Sequence, residues 1–106
     1  MKLIFAVVNG DDSGHVLKSL TKNGFYATKL SSSGGFLGKG NVTFMLGVEE
    51  NEINTAIQII SENSKTRKEY TQNWGTPTSP PETFPVEVTV GGATIFVTDV
   101  IRFEKV

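Results

Sequence analysis

Apolar positions first gather over residues 3–8, a near-continuous run with β-branched members. Such a run predicts a central strand buried on both faces. Asn9, Gly10, Asp11, Asp12 and Ser13 bring turn chemistry, and Asp12 or Ser13 can cap a helix by accepting a backbone N–H. Val16, Leu17 and Leu20 then recur at helical spacing, and Gly24 stands where a helix C′ residue takes a positive φ. A second strand is predicted over residues 25–30. Residues 31–41 are rich in Ser and Gly and read as a loop enclosing the apolar pair Phe36 and Leu37. A third strand is predicted over residues 42–48. Glu49, Glu50 and Glu52 suit the positive end of a second helix, whose inward stripe is Ile53, Ala56, Ile57 and Ile60.

Beyond Asn63 the pattern weakens. All 4 prolines lie between Pro77 and Pro85, which predicts a long surface loop opened by a short strand near residues 68–72. Residues 84–90 alternate, with Val86, Val88 and Val90 facing one way and Glu87 and Thr89 the other. Gly91 and Gly92 predict a two-residue hairpin turn, with the return strand over residues 93–100. The first six elements match the split β-α-β pattern of an α+β, ferredoxin-like βαββαβ sandwich, to which an additional C-terminal hairpin strand is attached. Both helices then cover one face of an antiparallel sheet. Val86, Val88, Ile95 and Val97 supply more apolar strand surface than one helix layer needs, so association through the sheet is expected.

Length and composition narrow the function. With 106 residues, the expectation is a single domain spanning residues 1–106. The formal net charge of −1 disfavours a general nucleic-acid binder, which needs a strong positive field. No cysteine is present, which excludes disulfides, thiolate metal sites and Cys nucleophiles. His15 is the one histidine, so neither a His-rich metal site nor a Ser-His-Asp triad is expected. The run over residues 3–8 is too short for a signal-peptide core or a membrane span, and the expectation is a cytoplasmic protein. An apolar fraction of 38% fits a subunit that completes its core against other subunits.

Chemistry concentrates in the Gly-rich loop. Ser31, Ser32, Ser33, Gly34 and Gly35 offer hydroxyls and unobstructed backbone N–H groups, the equipment for cradling an anion such as phosphate. Phe36 beside them suits stacking on a nucleotide base. The plainer alternative is a hairpin loop whose Phe36 tucks into the core or a neighbouring subunit. The segment is not a P-loop, because Gly38-Lys39-Gly40 lacks the required spacing and a following helix.

Residue identity adds a resemblance. Thr28-Lys29-Leu30, Gly34-Gly35-Phe36-Leu37, Gly40-Asn41-Val42-Thr43-Phe44 and Gly47 are similar to the PII-like cyclic di-AMP receptors of Gram-positive bacteria. Met1-Lys2-Leu3-Ile4, Pro85-Val86-Glu87-Val88 and Val90-Gly91-Gly92-Ala93-Thr94 extend the resemblance to nearly the whole chain, except about residues 65–84. It implies a PII-like signal transduction protein, a homotrimer without known catalytic activity or cofactor. Cyclic di-AMP would bind between subunits, and loops would report occupancy to an unknown protein target. Carried over by position, Phe36 packs on an adenine, and Gly35 and Leu37 present backbone groups. Thr28, Asn41 and Gly47 line the pocket; from the charge balance alone, Lys29 or Lys39 suffices to supply positive charge in a local pocket. Gly24 and Tyr26 depart from the family's Asn and Arg, so Tyr26 stands where a guanidinium is expected and offers a ring for stacking instead. These departures support the alternative of a diverged trimeric sensor or adaptor for another small anionic ligand or a protein partner.

Other features rank lower. Lys65, Arg67 and Lys68 read as favourable charge near a helix C-terminus on a solvated surface. Trp74 either packs over the subunit's edge or meets a partner. An acylphosphatase-like enzyme needs an Arg in a phosphate loop, and Arg67 and Arg102, the only arginines, lie in no Gly-rich loop.

Overall fold

The computed structural model describes residues 1–30, 40–72 and 85–106, with side chains described outside residues 69–88. The element order is β1 (Lys2–Asn9), α1 (Gly10–Lys22), β2 (Thr28–Leu30), β3 (Asn41–Val48), α2 (Ile53–Glu62), β4 (Arg67–Gln72), β5 (Pro85–Val90) and β6 (Ala93–Asp99). A single 3₁₀ turn at Glu50–Glu52 leads into α2. Four strands form an antiparallel sheet in the order β2-β3-β1-β6, and β4 and β5 form a separate two-stranded ribbon.

Strand alternation decides which side chains meet the helices. Ile4, Ala6 and Val8 of β1 share a face with Phe44, Leu46 and Val48 of β3. These six pack with Val16 and Leu20 of α1 and Ala56 and Ile60 of α2 in one buried cluster. Each fully buried Leu or Ile in such a core contributes roughly 1.5–3 kcal/mol. The α+β, ferredoxin-like class expected from the element order is therefore present, with both helices on one face.

The helix caps differ in detail from expectation. Asn9, not Asp12 or Ser13, caps α1: its Oδ1 accepts the Asp11 N–H at 2.9 Å. Asp12 is buried and otherwise engaged, and the Ser13 hydroxyl donates backward to the Gly10 carbonyl. Gly24 follows the helix at φ +85°, the C′ conformation expected of it. Phe25 does not open a strand, because its N–H donates to Leu20 O and its ring is buried in the core. The second strand is shortened accordingly to Thr28–Leu30. Before α2, the Glu49 N–H donates to the Glu52 carboxylate at 2.9 Å, one half of a capping box.

The expected hairpin at Gly91-Gly92 is not formed. β5 pairs with β4, from Arg67↔Val90 to Gln72↔Pro85, whereas β6 pairs with β1, from Lys2↔Asp99 to Val8↔Ala93. The two glycines are instead a corner, at φ +86° and +87°, where the chain leaves the ribbon and enters the main sheet. The corner lies directly on the preceding segment: Gly92 N–H donates to Ser64 O, and a Cβ on Gly92 would stand 2.9 Å from the Thr66 side-chain oxygen Oγ1. The C-terminal strand β6 is thus the sixth element of the βαββαβ core, and β4 with β5 is an insertion between α2 and β6.

Register also corrects which residues populate the uncovered face. Ile95 and Val97 lie opposite Ala6 and Ile4, on the helix side. The uncovered face carries the row Thr28, Met45, Phe5 and Phe96, flanked by Leu3 and Val7 of β1. Phe96 is 49% exposed there. Among the described residues, no helix is long and apolar enough to cross a membrane.

Candidate functional site

The expected ligand residues divide between two ends of the sheet. Thr28 and Gly47 stand near one end on the uncovered face: Thr28 is opposite Met45, two positions from Gly47 on β3. Lys29 is opposite Phe44, so its position belongs to the other face. Tyr26 precedes β2 and is 89% exposed. Asn41 begins β3 on the same face as Gly47 but six residues away, about 20 Å along an extended strand. One subunit therefore does not gather Thr28, Gly47 and Asn41 around a single small ligand. Gly35, Phe36, Leu37 and Trp74 lie outside the described residues.

Gly47 has no internal reason to be glycine. A Cβ there would meet only the Met1 side chain, at 3.7 and 3.8 Å, which is ordinary van der Waals contact. Glycine inside a strand often marks a bulge, a bend or a place where a ligand or another backbone approaches closely.

The Asn41 end is a cleft of about 270 Å³ lined by Asn9, Asn41, Gly91, Gly92 and Thr94, among others. Asn9 and Asn41 face each other across β1 and β3. The Gly10 N–H donates to Gly40 O at 2.7 Å, where the chain returns from residues 31–39. Gly10 is required by that approach, since a Cβ on it would lie 2.6 Å from the Gly40 oxygen. The base of the Gly-rich segment is thereby pinned to the first turn of α1.

Arg67 is not a free surface cation. Its Nη2 donates to Asp12 Oδ1 at 2.9 Å and its Nη1 to Asp12 Oδ2 at 3.2 Å, a bidentate pair. The Asp12 side chain is only 7% exposed, against 40% for Arg67. Nη1 also donates to Lys65 O at 3.2 Å. The basic cluster expected to be solvated is therefore partly a structural anchor. A signal for it existed: Asp12, Val16 and Leu20 recur every four residues, so Asp12 shares the apolar stripe and needs a partner.

Elsewhere, Lys2 and Asp99 form an ion pair across β1 and β6. Hydrogen bonding to Lys2, then its charge, holds the Asp99 carboxyl below its usual range. The same two contacts raise the Lys2 ammonium.

A ferredoxin-like sheet in the order β2-β3-β1-β6, both helices on one face, and an insertion before the last strand are consistent with a PII-like, ferredoxin-type subunit. The chain belongs to the cyclic-di-AMP receptor family, whose model matches residues 1–106. It is also similar to a solved structure, the crystal structure of a functionally unknown protein from Pediococcus pentosaceus. The two chains are 39% identical with a TM-score of 0.76, over 99% of this chain and 96% of that one. The family read from the Gly-rich segment and the Gly91-Gly92 segment is thus the family found, and it is a family of receptors.

Proposed function

We propose that this protein is a receptor for cyclic di-AMP or a closely related nucleotide, bound between subunits of a homotrimer. The observation that carries the reading is membership of the receptor family over the whole chain. Three features support its finer points. The uncovered sheet face, with Phe5, Met45 and Phe96, is a surface that copies of the chain would bury against one another. Gly47 lacks a side chain on that same face without an internal cause. The separation of Asn41 from Gly47 favours a pocket to which neighbouring subunits contribute different residues. In this reading Phe36 stacks on an adenine, and Gly35, Leu37, Thr28, Lys29, Asn41 and Tyr26 complete the pocket. The protein acts in the cytoplasm by presenting its loops to a protein target and performs no catalysis.

Calorimetry on the full chain tests it. Cyclic di-AMP is expected to give saturable heat that Phe36→Ala abolishes. Gly47→Ala is expected to keep or raise Tm, since it removes backbone freedom in a strand, while weakening binding at least tenfold. No heat and no thermal shift at millimolar ligand overturns the proposal.

One observation favours a second reading. Tyr26, 89% exposed, stands where the resemblance calls for a guanidinium. Losing a charge-assisted hydrogen bond costs about 1.5–3 kcal/mol, roughly ten- to a hundredfold in affinity. A different small anion, or a protein, would then be the partner of the same trimer. Binding strengthened by Tyr26→Arg supports cyclic di-AMP; a panel in which another anion binds wild type more tightly supports the second reading.

A further inference from the structure

The first turn of α1 touches two segments that are remote in sequence. Through the Gly10 N–H it holds Gly40, at the return from residues 31–39. Through Asp12 it holds Arg67, where the chain sets out into the ribbon. Only Asp11 separates these attachments, and its own N–H is fixed by the Asn9 cap at 2.9 Å. The Arg67 guanidinium has further neighbours at the ribbon's base. Its Nη1 holds Lys65 O at 3.2 Å, and a Cβ on Gly91 would stand 2.7 Å from that same nitrogen. One side chain therefore meets the helix, the backbone entering the ribbon and the glycine corner leaving it. Among the described residues, β4 and β5 pair with no other strand. A two-stranded ribbon is marginal alone, so its orientation depends on how its base is held.

We propose that the Asp12–Arg67 pair is the joint that sets the ribbon on the body and links it to Gly40, so that ligand binding, on the receptor reading, is read out at the ribbon. A bidentate fork constrains direction as well as distance, which a lysine ammonium does not. Asp12 is nearly excluded from solvent, so water is a poor substitute for its partner. Gly10 and Asp12 share one helical turn, so a displacement of Gly40 is carried to Arg67 through a hydrogen-bonded path. Arg67 acts here as a positioning residue.

Amide hydrogen exchange on the full chain tests the joint, with Asp12→Asn and Arg67→Lys. Both variants are expected to exchange at least tenfold faster over residues 67–72 and 85–92, with wild-type rates in β1 and β3. Unchanged ribbon rates, or equal acceleration in β1 and β3, overturn the joint. The read-out rests on the receptor reading and has its own arm. Cyclic di-AMP is expected to slow ribbon exchange in wild type. Arg67→Lys is expected to bind it within threefold of wild type without that slowing. Slowing retained in the variant overturns the read-out. Absence of binding to wild type overturns the receptor reading and the read-out with it, while the joint still stands or falls on the first arm.

Discussion

Replacing Phe96 with serine removes an aromatic ring from the sheet face that the helices leave uncovered. The ring is 49% exposed in the subunit. A phenylalanine offers about 200 Å² of surface, so about 100 Å² remains for a neighbouring copy to cover. At about 25 cal/mol per Å² this is worth roughly 2.5 kcal/mol per subunit, or about 7.5 kcal/mol over three. At about 1.4 kcal/mol per factor of ten, the dissociation constant of the proposed trimer should rise by about five powers of ten. The ring lies opposite Phe5, so its loss also removes the cross-strand apolar partner of Phe5. Val97 is the matched control: it is 43% exposed and adjacent on β6, but it shares the helix side with Ile4. Sedimentation velocity at micromolar concentration should find wild type and Val97→Ser as trimers and Phe96→Ser as a folded monomer. Phe96→Ser sedimenting as wild type does, or Val97→Ser dissociating equally, would refute the assignment of the interface to this face.

Two further predictions concern the subunit itself. The Asp99 carboxyl should titrate by NMR below its ordinary value of 3.8 and return to it in Lys2→Ala; an unmoved midpoint would refute the pair. Because the folded value is lowered, the Asp99 contribution to stability is present above the unfolded pKa and lost as pH falls through the folded one. The raised Lys2 gives the mirror case, with its contribution present below 10.5 and lost as pH rises through the folded value. Gly14→Ala should stabilise, since Gly14 is exposed inside α1 and a Cβ there meets nothing within 4 Å. The expected gain is about 1 kcal/mol, a rise of about 4–8 °C in Tm; a fall in Tm would show a contact that the subunit alone does not contain.

Much of the site was legible as residue identity and little of it as geometry. Thr28, Asn41 and Gly47 can be named from their motif, and the strand expected over residues 42–48 already separates Asn41 from Gly47, but only pairing decides that Thr28 stands beside Met45 near the Gly47 end. The Asp12–Arg67 pair spans 55 positions in sequence, and only the helical stripe through Asp12 hinted that its carboxylate is buried. Asn9, Asp12 and Ser13 carry the same capping chemistry, and the end of β1 decides among them.

The sequence alone determined the local elements: the apolar run of β1, the stripes of α1 and α2, the stop at Gly24, and the acidic entry to α2. Each is set by neighbours within a few residues, through periodicity and capping. Only the tertiary structure decided which strands pair. Alternation identifies a strand but not its partner, and a Gly-Gly step serves a hairpin or a corner equally well. Its actual conformation follows from the backbone of Ser64 and Lys65 and the side chains of Thr66 and Arg67 packed against it. That pairing places β6 beside β1, leaves β4 and β5 as a ribbon, and turns Phe96 rather than Val97 onto the uncovered face.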